Sequence, residues 1–325
     1  MYKYKIAIII LLFLQACAHV QHRPEIYKSL ENEIKNTNAI HLKECNCMKA
    51  LHRNLFEDPD DTSRYAFDKK VAQNAVNLNK EIVSVLAIGS GFLLNELTAL
   101  ANILANGKNL KIYLIDYAYI FYGDKDFKEK ALYLGNNPES IPENWKNYHF
   151  WKWAKNNEEP YLPFFEKHHQ AINEFKTIIS NLDKIYHTSS IVEIIKPGKN
   201  EPANLPTLDM IIAIDAFIDM PELMWNLHYK LKLNNPVRFI SLNKNKPMGG
   251  FWNSVDLKQR ESNSLKPIAI EIYDVISKPG IGSYKLIERT IFEPTSEQKA
   301  KGLEFITDPE RDSNQSPLDS HISGK

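Results

Sequence analysis

The feature that most constrains this chain is a short apolar run that stops at two glycines. Val83-Ser84-Val85-Leu86-Ala87-Ile88 is rich in β-branched residues and has no charge, which is the pattern of a strand buried on both faces. It ends in Gly89-Ser90-Gly91. Leu93, Leu94, Leu97, Leu100, Ala101 and Leu104 follow at helical spacing, and Asn106-Gly107 closes that helix. Leu110 to Ile115 is a second apolar run, ending at Asp116. The sequence therefore predicts one β-turn-α-β unit, with glycines at its first turn and a carboxylate at the end of its second strand. The chain has only 12 glycines in 325 residues, so two of them at one strand end carry weight.

Three further strands are expected at Ile191–Ile195, Leu208–Ile214 (ending at Asp215) and Val237–Leu242. A helix is expected from Pro221 to Leu233, with Asn234-Asn235-Pro236 as its stop. Pro267–Ser277 and Ser283–Phe292 read as a hairpin joined through Pro279-Gly280-Ile281-Gly282. Residues 18–80 read as a helical N-terminal region in which Thr62 caps a helix reaching about Asn79. Residues 293–325 are mostly polar and read as a loose tail. The fold class expected is α/β, a Rossmann-like doubly wound sheet over 81–292.

Residues 117–190 interrupt that pattern. They hold 16 aromatic residues, Trp145, Trp151 and Trp153 among them, and such a long connection inside an α/β unit is often functional. Their second half, from Leu162 to about Ile185, has helical spacing. The aromatics build a local mini-core, a substrate pocket, or both. His168 and His169 fall on this helix, where an exposed pair is the default expectation.

Lysine plus arginine and aspartate plus glutamate each number 40, which removes any global basic field for nucleic acid. Three cysteines are too few for a disulfide scaffold. Cys45 and Cys47, with His41 and His52, have a spacing that fits no standard zinc module, so no metal site is expected and the stretch reads as a helix bearing two thiols.

Lys3 and Lys5, the apolar run Ile6–Leu14, and Ala16-Cys17 form a secretory-type signal over residues 1–17, too short to span a bilayer. Leu14-Gln15-Ala16-Cys17 resembles the lipobox of bacterial lipoproteins. That resemblance implies acylation of Cys17 and a membrane-anchored or exported protein of the envelope, and Ala18 lacks the aspartate of inner-membrane retention. If the segment is not a signal, the location is cytoplasmic.

Gly-x-Gly after a strand lets a ligand approach the backbone, and the helix that follows offers free N–H groups and a partial positive charge. Dinucleotide folds want Gly-x-Gly-x-x-Gly, and Leu94 stands at the third position, so that fingerprint fails. Val85-Leu86-Ala87-Ile88-Gly89-Ser90-Gly91 instead resembles the first motif of class I S-adenosylmethionine-dependent methyltransferases. Asp116 matches the acidic residue after their second strand, Ile211-Ile212-Ala213-Ile214-Asp215 the aspartate after their fourth, and the terminal hairpin their last two strands. The resemblance spans roughly 80–292. It implies S-adenosylmethionine as cofactor, held by Gly89, Ser90, Gly91, Asp116 and Asp215, and a small-molecule or protein methyl acceptor. Asp116 would hold the ribose hydroxyls and contribute little to folding.

The chain departs from the family pattern in three places. The gap from Gly91 to Asp116 is longer than usual, Lys196-Pro197-Gly198 replaces an acidic residue after the third strand, and Asp215-Ala216-Phe217 is not the Asn-Pro-Pro-Tyr type used on base amines, which argues against DNA adenine methylation; no nucleic-acid partner is expected. Asp215, Asp219 and His228 are polar candidates for orienting a substrate, with Asp219 also placed to cap a helix, and no catalytic base is assigned. An exported protein would not meet cytosolic S-adenosylmethionine. The alternative expectation is therefore a catalytically silent envelope lipoprotein with the same fold.

Overall fold

The computed structural model describes residues 25–26, 28–37, 62–142, 161–196, 207–214, 232–244, 268–278 and 281–292. The signal segment with Cys17, the Cys45/Cys47 stretch, Trp145, Trp151 and Trp153, Pro197 and Gly198, Asp215, Asp219, His228 and the tail lie outside the described residues.

Seven strands form one sheet: β1 (Ile82–Ile88), β2 (Asn109–Ile115), β3 (Ser190–Ile194), β4 (Thr207–Ile214), β5 (Lys232–Lys244), β6 (Ile268–Lys278) and β7 (Ile281–Phe292). Their spatial order is β3-β2-β1-β4-β5-β6-β7. The first five run parallel, while β6 is antiparallel to β5 and β7 to β6. This is the doubly wound, Rossmann-like order, closed by an antiparallel hairpin. It reverses direction between β1 and β4, which makes the carboxyl ends of those two strands the place where such sheets take ligands.

The period of two along the strands builds the core. Val85 and Ala87 enter one apolar cluster, and Leu86, with Ile88 packed against it, enters a second on the other face. On the first face lie α1 (residues 28–37), α2 (Thr62–Asn77), α3 (Leu94–Ala105) and α5 (Tyr161–Ile185), contributing Leu30, Phe67, Leu97 and Phe175 among others. Glycine ends α3 as expected. Gly107 stands at φ +77°, and its N–H donates to the Leu104 carbonyl at 2.9 Å.

Two expectations need correction. Lys232 and Leu233 do not end a helix: they pair with Thr207 and Leu208 as the start of β5, and the register then jumps to Met210 opposite Arg238. Asn234-Asn235-Pro236 thus sits inside an irregularity of β5 rather than at a helix stop. A proline, lacking an N–H, is tolerated there because the ladder is already broken. The rest of the expected helix, residues 221–231, lies outside the described residues. The hairpin turn is also shorter than expected, with Ile281 and Gly282 already paired in β7.

Within 117–190, a 3₁₀ turn (Tyr117–Tyr119) and α4 (Phe127–Asn136) precede α5. Ile120, Phe121, Ala131 and Phe165 form a third apolar cluster, with the rings of Phe121 and Phe165 edge to face at 5.4 Å. The aromatic insertion therefore has a mini-core of its own. Beside it is an open depression of about 650 Å³ lined by Phe121, Asp126, Lys130, Tyr133 and Leu134 among others, all from the insertion. No described helix is long and apolar enough to cross a membrane.

Candidate functional site

The site is built where β1 runs out. Gly89 still belongs to the ladder, since its N–H donates to the Ile115 carbonyl of β2 at 2.9 Å. The chain then turns through positive φ at alternate positions: Gly89 (+67°), Gly91 (+50°) and Leu93 (+71°). Two of these are glycines, which adopt that region without steric cost. Leu93 is not, and the left-handed conformation costs such a residue about 1–2 kcal/mol. Leu93 is also 1% exposed. Full burial of a leucine stabilises by about 1.5–3 kcal/mol, so packing offsets the strain. The Leu93 N–H closes the turn onto the Ser90 carbonyl at 2.7 Å, and α3 begins at the next residue.

Among the described residues, the space above this turn is open: a Cβ added to Gly91 would meet none of their atoms within 4 Å. That is the opening a ligand needs to reach the backbone, and it lies at the N-terminus of α3, whose first N–H groups lack intrahelical partners.

Asp116 faces the turn from the end of β2. One carboxylate oxygen, Oδ2, accepts the N–H of Gly91 at 3.1 Å, and Oδ1 accepts the N–H of Ala118 at 2.9 Å. The structure thus brings Gly89, Ser90, Gly91 and Asp116 together, as expected of them. It corrects the idea that Asp116 has little to do with folding: the carboxylate fastens the glycine turn to the 3₁₀ turn. Each oxygen keeps a second lone pair for a ligand hydroxyl. Ser90 is buried and donates to the Ala87 carbonyl at 3.2 Å, a structural contact inside the turn. Asp215, the fifth expected cofactor residue, lies outside the described residues.

Sequence reasoning missed two members of this assembly. The Tyr119 hydroxyl donates to the Gly91 carbonyl at 2.8 Å, so both polar groups of Gly91 are held from residues 116–119. Burial pushes the Tyr119 phenol well above its ordinary value, and the Asp116 and Glu96 carboxylates push the same way, against a hydrogen bond with Ser90. The shift favours the protonated phenol, the form that donates to Gly91. Its only sequence signal is that it falls three residues after Asp116, one 3₁₀ turn away.

The second missed residue is His168. The exposed histidine pair is overturned: His168 is 4% exposed, with its ring stacked on Phe92 at 4.6 Å and 6.2 Å from the ring of Tyr119. His169 is half-buried between Phe127 (4.3 Å) and Tyr122 (5.1 Å). Desolvation holds its pKa below the ordinary 6.5, aided by His168 and Lys196. Aromatic partners from distant segments cover both rings, which helical spacing alone does not reveal.

Lys196 follows β3, as the sequence indicated, and its charge reaches His169 and Asp124 of the insertion. Among the described residues, no cluster of three or more metal-ligating side chains occurs.

No family model matches the chain, and no curated protein matches it. Solved structures similar to it include an S-adenosylmethionine-dependent methyltransferase from Clostridium acetobutylicum ATCC 824, at 9% identity over 77% of this chain and 82% of that one, with a TM-score of 0.28. Another, from Aquifex aeolicus, is 14% identical over 66% and 81%, with a TM-score of 0.30. Magnesium protoporphyrin IX methyltransferase from Synechocystis PCC 6803, with bound SAM, is 9% identical over 79% and 89%, with a TM-score of 0.31. The fold rests on strand order and register, not on these overlaps.

Proposed function

We propose that the chain is an S-adenosylmethionine-dependent methyltransferase acting on a small molecule or a protein. The observation that carries this reading is the open space over Gly91, set between the N-terminus of α3 and the Asp116 carboxylate at the reversal point of the sheet. A glycine there leaves the backbone free to be approached. In this reading Gly89, Ser90 and Gly91 present backbone to the cofactor's amino-acid end, and Asp116 accepts hydrogen bonds from its ribose hydroxyls; Asp215 is a fifth cofactor residue on the sequence resemblance alone. When bound, the cofactor supplies a methyl group on a sulfonium centre. The chain's own residues have only to bind, align and exclude water, so no protein nucleophile is required.

A second reading keeps the fold and drops the catalysis: an envelope lipoprotein with a methyltransferase-like domain. One observation favours it. Both Asp116 oxygens already serve backbone N–H groups, which is enough to explain the residue without a ligand. This second protein would sit at a membrane surface through acylated Cys17, on the sequence pattern of residues 1–17; the enzyme reading goes with a cytoplasmic location, where the cofactor is found.

Calorimetric titration of the full chain with S-adenosylmethionine and S-adenosylhomocysteine separates the two. Saturable one-to-one binding supports the enzyme, and no heat with either compound supports the silent protein. The anchor has its own test: Cys17→Ser should abolish lipid labelling and release the protein from membranes, and a wild type without acyl label would refute it.

A further inference from the structure

We propose that Tyr119 and His168 are positioning residues that hold the Gly89–Leu93 turn in its ligand-ready shape, so that the aromatic insertion sets the state of the binding site. For the identity of the ligand this rests on the methyltransferase reading; for the clamp itself it does not.

The argument starts from Gly91. A glycine at φ +50° with open space above it has no side chain to restrain it, so its conformation depends on what its two peptide polar groups meet. The N–H meets Asp116, and the carbonyl meets the Tyr119 hydroxyl. Asp116 ends β2 and is part of the sheet unit. Tyr119 belongs to the first turn of the insertion, is 0% exposed, and packs where α5 meets that 3₁₀ turn. The next residue, Phe92, is covered by His168 of α5. Two separate parts of the insertion thus close on consecutive residues of the turn, Tyr119 from its start and His168 from its long helix. Neither reaches toward the open side above Gly91. Both act through the backbone and ring of the turn, which makes them positioning residues rather than ligand contacts. Movement of α5 against the sheet would be felt first at Phe92 and at the Gly91 carbonyl.

The test is amide hydrogen exchange on the full chain, read at peptides covering residues 89–93, together with calorimetric titration with S-adenosylhomocysteine. Tyr119→Phe removes one hydroxyl and leaves the ring. It should raise exchange at 89–93 severalfold and weaken S-adenosylhomocysteine by about tenfold. Tyr122→Phe is the control: its hydroxyl bonds Asn173 at 3.1 Å, away from the turn, and it should change neither. His168→Ala should act as Tyr119→Phe does, and His168→Phe should restore slow exchange by keeping the stack on Phe92. Wild-type exchange at 89–93 in Tyr119→Phe overturns the proposal, as does a fall in melting temperature with no local change there. If the wild type binds no S-adenosylhomocysteine, the methyltransferase reading fails, and the exchange data alone decide for or against the clamp.

Discussion

Asp116 and Asp209 make the same bond at opposite ends of the parallel strands, and their surroundings differ. Near the amino end, Asp209 is 4% exposed, accepts the N–H of Ser84 at 3.0 Å and pairs with Lys80 at 2.5 Å. It sits where the β4–β5 register shifts, and supplies an acceptor to β1 just before that strand begins pairing with β4 at Val85. At the carboxyl end, Asp116 accepts Gly91 and Ala118 and faces a turn with open space above it. One carboxylate completes a ladder and is closed over by its partners. The other fastens a turn, and each of its oxygens keeps a second lone pair. A carboxylate bonded to backbone is thus not diagnostic of a site; what lies beyond its second lone pair decides.

Substitutions should separate the two roles. Asp209→Ala should have the largest effect on stability, about 3 kcal/mol, because it strips the acceptor from a part-buried N–H and removes a charge-assisted bond. Chemical denaturation measures it, and affinity for S-adenosylhomocysteine should not change. Asp116→Ala should cost less, about 2 kcal/mol, because it loses two backbone N–H bonds but no ion pair like that of Asp209 with Lys80, and should in addition weaken the ligand. If Asp209→Ala weakens the ligand as much, the division between the two ends is lost.

Gly91→Val sharpens the comparison by acting on the open side alone. The left-handed conformation costs a valine about 1–2 kcal/mol. Among the described residues none lies within 4 Å of the new Cβ, so the protein should fold and lose the ligand, by calorimetry, through filled space.

The smallest effect expected is a pH dependence in the insertion. His169 has a folded pKa below 6.5, so between that value and 6.5 the unfolded chain holds more protons than the native one. Its contribution to stability is complete above about pH 6.5 and is lost as pH falls through the folded value. Denaturation midpoints from pH 8 to 5 should fall with pH in the wild type, and fall less in His169→Phe. Equal slopes would mean that the ring is not desolvated between Tyr122 and Phe127.

The sheet was legible because its evidence is local. Val83–Ile88, Leu110–Ile115 and Leu208–Ile214 are apolar runs buried on both faces, and Gly107 ends α3 by its own conformational freedom. The glycine turn and Asp116 were legible for the same reason, each standing at a strand end. What failed was non-local. Asn234-Asn235-Pro236 carries every mark of a helix stop, yet pairing with β4 decides its role. His168 reads as exposed until Phe92, more than seventy residues earlier, is brought under it. Tyr119 has only its spacing from Asp116 to mark it until its hydroxyl is seen to reach the Gly91 carbonyl.

The central claim is that the Asp116 side of the glycine turn holds the ribose of an S-adenosyl cofactor, and one paired titration tests it most directly. Wild type, Asp116→Asn and Asp209→Asn, each as the full chain, are titrated with S-adenosylhomocysteine at one pH and salt. Asparagine keeps one acceptor oxygen for the backbone, puts an NH₂ donor in place of the other and removes the charge; a charge-assisted bond is worth roughly 1.5–3 kcal/mol. Asp116→Asn should therefore bind about tenfold more weakly than wild type, 1.4 kcal/mol being a factor of ten, while Asp209→Asn binds as wild type does. Equal affinity in wild type and Asp116→Asn, or no binding by the wild type, would contradict the account.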